Sequence, residues 1–557
     1  MMTRHPVTAS SFGSILLLGA FSFTSLTLSA QHPAWTTPPK LVVGIVVDQM
    51  RVDYIYRYWD NFGDGGFRRL INQGAFLRDA HYTYVPTLTG PGHASIYTGS
   101  IPALHGIVAN DRYDRSTRSL IYCVNDTNVR GVGGDMRRSP VQLLATTLAD
   151  EIERRTDRKG RTIGVALKDR SSILSIGRTA DAAFWFNAVD GSFMTSTWYM
   201  PALPEWVKEF NARKLAEKYL DQTWAPFFPM ERYHQALPDS NAYEEQLVPG
   251  TRSAFPYPLR EWRQKGAGLD LIKLTPWGNT LTTDIALAAI KGEELGVDAI
   301  TDLLAISYSS TDELGHGTGP RAVEIEDMYI RLDLEIARLL AELDKSVGAG
   351  RYTLFLTADH GVVDVPQYLK DLKGSAGYVD KGQVRRKINE ALSAVDPKDS
   401  VAYIGKGQVF LAERKEPGAF ISFNARLNMV RDVLLAQPGI AAAWPAPDLS
   451  LIGRAGDDLM TLAGNGCMPK RSGDVTYSLS PGFLEFPAGL PHQGTEHSTG
   501  WNYDTHVPVL FFGQGIVHGE VVRRTAVADI VPTLTMIIGC ALPDAAVGEP
   551  VPEVIVH

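Results

Sequence analysis

Apolar residues along this chain follow two rhythms. Continuous apolar runs occur at residues 41–47 (LVVGIVV, rich in β-branched residues), 162–167, 182–186, 303–308, 352–357 and 507–512. Runs of this kind suit strands buried on both faces of a parallel sheet. Between them lie helical stripes, at 141–154 and at 325–343, where Met328, Tyr329, Leu332, Ile336, Leu339 and Leu343 share one face. Alternating strands and helices predict an α/β fold: a large, mostly parallel central sheet with helices on both faces. Two stretches break the rhythm. Residues 190–275 hold Trp198, Trp206, Trp224, Trp262 and many prolines; residues 366–480 are irregular, with short runs such as 408–411. Both read as cap insertions.

The first 30 residues read differently from the rest. Arg4 precedes an interrupted apolar stretch at 14–28, and Leu28-Ser29-Ala30 offers a small residue for cleavage. This predicts a signal peptide at 1–30, a catalytic chain at 31–557, and a periplasmic or secreted location. No later stretch is long and apolar enough to span a membrane. At 557 residues the chain holds 54 Lys plus Arg against 62 Asp plus Glu, a net charge of −8. That acidic balance argues against a nucleic-acid partner. The three cysteines, Cys123, Cys467 and Cys540, can form at most one bridge within the chain and exclude a disulfide scaffold.

Polar residues then collect where the predicted strands end. Asp48 follows the first strand, Asp312 and His316 follow 303–308, and Asp359-His360 follows 352–357. Any one such aspartate could be only a helix cap. Several Asp and His residues at converging strand ends instead suggest nitrogen and oxygen ligands for zinc. In VPTLTGPGHASIYTGS, Gly90-Pro91-Gly92 predicts a tight turn and His93 the start of a helix. Thr89 then sits at a helix N-terminus, either as an N-cap or as a nucleophile. His93 reads as a structural residue of that helix start.

The ordered set of Asp48, Thr89-Gly-Pro-Gly-His93, Asp312-x-x-x-His316, Asp359-His360-Gly361 and Gly494-Thr-Glu-His497 resembles the alkaline phosphatase superfamily. It is most similar to the secreted bacterial branch with a threonine nucleophile, the phosphate-irrepressible and sphingomonad types. Ile107-Val-Ala-Asn110, Lys168-Asp-Arg170, Tyr503-Asp-Thr-His-Val-Pro508 and Asp529-Ile-Val-Pro532 extend the likeness over nearly the whole chain. The resemblance implies two zinc ions about 4 Å apart, the arrangement of two-metal sites. One would be held by Asp312, His316 and His497. The other would be held by Asp48, Asp359 and His360, with Thr89 as its exchangeable ligand. It further implies hydrolysis of phosphate monoesters through a phosphothreonine, with Asn110, Lys168 and Arg170 on the phosphoryl oxygens, and a monomer. A guanidinium and an ammonium answer the charge of a monoester dianion. His492 and His506 lie near His497, and the Gly-Thr-x-His context favours His497. Cys467-Met-Pro-Lys-Arg471 matches the sulfatase Cys-x-Pro-x-Arg pattern, but it falls after Asp359-His360 and reads as chance. Two other functions remain open: a phosphodiesterase or nucleotide pyrophosphatase with the same metals, and an exported binding protein without catalysis.

Overall fold

The computed structural model describes residues 37–413, 421–452, 456–486 and 492–556. The predicted leader at 1–30 and its cleavage point lie outside these residues. The main sheet is built from β1 (Leu41–Val47), β2 (Ala75–His81), β3 (Gly131–Val132), β4 (Thr162–Ala166), β5 (Ala182–Asn187) and β6 (Ser192–Ser196). It continues with β7 (Asp302–Tyr308), β8 (Tyr352–Thr357), β9 (His506–Gly513), β10 (Gly519–Val521) and β11 (Thr525–Ala526). Its spatial order is β10-β2-β9-β8-β1-β7-β4-β5-β6-β3, with β11 also on β2.

The centre of the sheet, β8-β1-β7-β4-β5, is parallel throughout. Every residue of β1, β7 and β8 is buried, as their unbroken apolar runs require. The strand expected at 507–512 is β9, and it runs antiparallel to both β8 and β2. An apolar run reports burial on both faces, not direction, so the sequence pattern could not distinguish the two.

Four helices position the site: α1 (Thr89–Thr98), α2 (Asp169–Ile176), α3 (Ser310–Thr318) and α4 (Val323–Leu343). The stripe at 325–343 is α4, with Met328, Leu332, Ile336 and Leu339 fully buried. The stripe at 141–154 is helical only over Leu148–Arg155. Thr147 sets that start: its hydroxyl accepts from the Asp150 amide while the Asp150 carboxylate accepts from the Thr147 amide.

The first irregular stretch begins with β6, a strand of the main sheet, so its excursion starts later than residue 190. It contains the helices Glu205–Ala212, Leu215–Leu220 and Leu259–Gln264. Trp224 anchors it, fully buried, with Nε1 donating to Asp327 of α4 at 2.7 Å. The second stretch carries a four-stranded sheet of its own, Val401–Gly405, Gln408–Leu411, Val475–Leu479 and Ile440–Pro445 in spatial order. Helices Lys381–Val395 and Phe423–Leu435 cover that sheet and close a separate apolar core around Ile388, Val430 and Val475.

Candidate metal centre and active site

The carboxyl ends of β1, β4, β7 and β8 point to one edge of the sheet, where ligands bind in open α/β folds. Asp48 follows β1, Asp359 and His360 follow β8, α3 after β7 carries Asp312 and His316, and Lys168 closes the turn between β4 and α2. Asp48, Asp312, Asp359, His360, His497 and Lys168 are all buried.

One cluster joins Asp48, Asp359 and His360, whose ligand atoms lie within 4.8 Å of one another. His360 Nε2 is 3.5 Å from Asp48 Oδ1 and 3.7 Å from Asp359 Oδ2. Those three atoms are buried without a hydrogen-bond partner. Three converging orphaned atoms are costly unless something satisfies them, and they form a set of one imidazole and two carboxylates. Burial, reinforced by Asp312 and Asp359, pushes the Asp48 carboxyl well above the usual range. A cation at this point would reverse that penalty.

The second cluster centres on Asp312. Its Oδ1 is 3.2 Å from His316 Nε2 and 3.7 Å from His497 Nε2. Asp312 also groups with His360 and His497, and His316 with Glu496 and His497. All three histidines share one tautomer. His316 Nδ1 donates to Thr495 O at 3.0 Å, His360 Nδ1 to Gly361 O at 3.0 Å, and His497 Nδ1 to Thr87 O at 2.7 Å. Each Nε2 faces a carboxylate, the arrangement typical of metal-bound histidine. The residues present therefore fit two adjacent sites for a zinc-like ion.

Close backbone packing brings these groups together. A Cβ on Gly92 would stand 2.5 Å from Asp359 O, so only glycine lets α1 lie on that loop. Gly494, at φ +71°, carries the chain past His316 O, where a Cβ would stand at 2.5 Å.

Thr89 is the first residue of α1 and is buried. It is not an N-cap: Leu88 holds that position, and no side chain caps the helix. Gly90-Pro91-Gly92 forms the first helical turn itself, where proline loses no helical hydrogen bond. The Thr89 hydroxyl is thus free of capping duty and accepts from Arg170 Nη2 at 3.4 Å. Arg170 Nη1 donates to Tyr122 Oη at 3.2 Å, and its Nε has no partner. Tyr122 in turn donates to Asp169, which also accepts from Arg138 Nε at 2.6 Å. Asn110 Oδ1 accepts from the Gly90 amide at 2.7 Å, which leaves its amide nitrogen as a donor at the helix start. The Lys168 ammonium contacts Asp48 Oδ2 at 2.7 Å and Asp312 Oδ2, with Glu313 3.7 Å away.

Several neighbours escaped the sequence reading. Gln49, at φ +65°, donates its amide N–H to Asp359 and its side-chain nitrogen to Asp312 at 2.6 Å. Its position directly after Asp48 was the only signal. Glu496 precedes His497 and binds Lys406 Nζ at 2.7 Å. A cavity of about 350 Å³ opens over His316, His497, Glu496, Lys406 and Lys381. His93 is buried inside α1, with Nδ1 on Thr89 O and Nε2 on Ser307 Oγ. His492 stacks on Tyr378 and His506 on His81, so of the three late histidines only His497 meets Asp312. Cys467 packs in a small apolar cluster with Val85, Ala446 and Leu462, and all three cysteines are free thiols.

Residues 42–457 match the model of the type I phosphodiesterase / nucleotide pyrophosphatase family. The chain is 39% identical, over 93% of its length and 95% of the relative's, to a Myroides odoratus protein named calcium-transporting ATPase. It is 36% identical to alkaline phosphatase PafA of Elizabethkingia meningoseptica, over 97% of this chain and 98% of that one. The crystal structure of PafA superimposes with a TM-score of 0.88, covering 93% of this chain and 99% of PafA. The chain therefore belongs to the type I phosphodiesterase / nucleotide pyrophosphatase family, on the branch that contains the PafA alkaline phosphatase.

Proposed function

We propose that the protein is an exported, zinc-dependent alkaline phosphatase that hydrolyses phosphate monoesters through a phosphothreonine and releases inorganic phosphate. The observation that carries this reading is the position of Thr89. Its hydroxyl, free of capping duty, stands at a helix N-terminus beside Arg170, and the same helix packs on the loop of Asp359, which belongs to one of the two clusters of histidine nitrogens and carboxylates. Asp48, Asp359 and His360 would hold one zinc ion, and Asp312, His316 and His497 the other. Ions so held supply positive charge to the attacking and departing oxygens of an in-line displacement.

The chain's own residues account for the rest. Thr89 Oγ1 attacks phosphorus, its proton passes through solvent to the leaving oxygen as the bond to that oxygen breaks, and the phosphoryl group is carried as an ester of Thr89. Water then attacks the same phosphorus and returns the hydroxyl. Positive amide ends at the start of α1 favour the anionic oxygen. Arg170 offers a partnerless Nε and two nitrogens already aimed at Thr89 and Tyr122, which suits two phosphoryl oxygens. Asn110 is pinned through its oxygen, so its amide nitrogen donates to a third. Lys168 joins them once the Asp48 and Asp312 carboxylates are engaged by cations. The cavity over His316 and His497 gives room for a leaving group. The relatives' names support transfer of a phosphoryl group, from an ester in PafA and from ATP in the Myroides protein.

The leader-like residues 1–30 support export, and we read the protein as a monomer. We read residues 31–557 as one catalytic domain with two excursions. A phosphodiesterase is the second reading, favoured by the engagement of Lys168 with Asp48 and Asp312, which leaves fewer cations for a dianion. One assay separates them: purified protein on aryl phosphate and aryl phosphodiester, after chelation and after zinc add-back. Zinc-restored monoester turnover above diester turnover supports the phosphatase. The reverse order overturns it, and no zinc-restored hydrolysis favours a binding protein.

A further inference from the structure

A second constellation of ligands lies on the flank of the sheet. Asp79 and His81 are two residues apart on β2, so they share one face. His506, the first residue of β9, is the direct cross-strand partner of His81. The three side chains therefore converge from one antiparallel ladder, and their ligand atoms lie within 4.8 Å of one another. His81 is fully buried, whereas Asp79 and His506 are partly exposed.

The ring nitrogens are already sorted. His506 Nε2 donates to Arg78 O at 2.8 Å, which pins the proton there and leaves Nδ1 bare. The His81 ring stacks on that of His506 at 4.5 Å and 18°. Its Nε2 is 2.7 Å from Asp79 Oδ1, and its Nδ1 is 3.2 Å from Thr505 Oγ1. A shift of the His81 proton to Nδ1, where the Thr505 oxygen accepts it, bares Nε2 without releasing a proton. Two imidazoles, each held by an outer hydrogen bond, and a carboxylate are the donor set of borderline divalent ions. Arg524 approaches the same corner, with its guanidinium 3.6 Å from Asp457.

We propose that Asp79, His81 and His506 form a further binding site for a zinc- or copper-like divalent ion, separate from the Thr89 centre. Ligands of a tetrahedral ion stand about 3.4 Å apart and in the plane of each imidazole, so binding needs the cluster to close by roughly an ångström and the partly exposed His506 ring to turn out of its stack on His81. Such an ion would fasten β2 to the segment that runs from His497 to His506. Thr505 belongs to that segment, as does Asp504, whose carboxylate accepts from the Thr499 amide at 2.8 Å.

The test is a titration with Cu²⁺ of protein holding no more than two zinc ions per chain, the number the Thr89 centre takes. The expected result is uptake of one copper per chain with the bound zinc retained, and an electron paramagnetic resonance spectrum split by two imidazole nitrogens. His506→Gln and Asp79→Asn should weaken uptake about tenfold or more, and His506→Gln should remove one nitrogen from the splitting. Far-UV circular dichroism and the melting temperature establish that both variants fold. Equal uptake by the variants, no uptake, or uptake only at the cost of bound zinc would each overturn the proposal.

Discussion

The Nδ1 proton of His497 is donated to the carbonyl of Thr87 at 2.7 Å, two residues before Thr89. This bond orients the imidazole toward Asp312 and ties its loop to the turn that delivers the hydroxyl. His497→Gln removes the bare nitrogen and loosens that turn. Zinc affinity, measured by competition with a chromogenic chelator, is expected to fall by more than about 100-fold, beyond the loss typical of an outer-sphere change. Retained affinity would place the second ion elsewhere.

Thr89 has no capping duty, so its replacement should leave α1 intact and remove the nucleophile. Thr89→Ala is expected to lose turnover on the order of 10³-fold or more and to show no burst of leaving group. Thr89→Ser should keep a burst. An undiminished burst in the alanine variant, followed by stopped flow, would refute a phosphothreonine.

Much of this arrangement was legible because its signals are local. Buried parallel strands declare themselves as apolar runs, and a polar residue directly after such a run inherits its place at the sheet edge. Asp48, Asp359 and His360 are of this kind. What the sequence could not convey depends on contacts between distant segments. The antiparallel direction of β9, the hold of Lys168 on Asp48 and Asp312, and the reach of Gln49 to Asp312 all rest on tertiary geometry. Pairing of His81 with His506, more than 400 residues apart, was illegible for the same reason.

Arg170 is expected to distinguish substrates by charge. A charge-assisted hydrogen bond contributes about 1.5–3 kcal/mol, so Arg170→Ala should cost monoester turnover roughly 10- to 100-fold. A diester offers one charge fewer and should lose less. Tyr122→Phe removes a group that holds Nη1 and should give a smaller loss of the same kind. Steady-state kcat/KM on paired aryl esters reads both, and equal losses would mean that Arg170 does not sense the extra charge.

His105 makes acid stability depend on a buried neutral imidazole. It lies away from the ligand clusters, fully buried, with Nε2 donating to Ser95 Oγ at 2.9 Å and Nδ1 accepting from the Ile107 amide. Burial, with the nearby Arg471 guanidinium, pushes its pKa down to about 3. An unfolded histidine titrates near 6.5, so the unfolded chain binds this proton first. The stabilising contribution is therefore complete above about pH 6.5 and is lost as pH falls from there toward the folded value, amounting to a few kcal/mol. His105→Gln removes the titration. The difference in unfolding free energy between wild type and variant, from urea melts at several pH values, should shrink as pH drops from 7 to 4. Zinc release at low pH acts on both proteins alike and cancels in that difference. A difference that is constant with pH would show that His105 is not held neutral by burial.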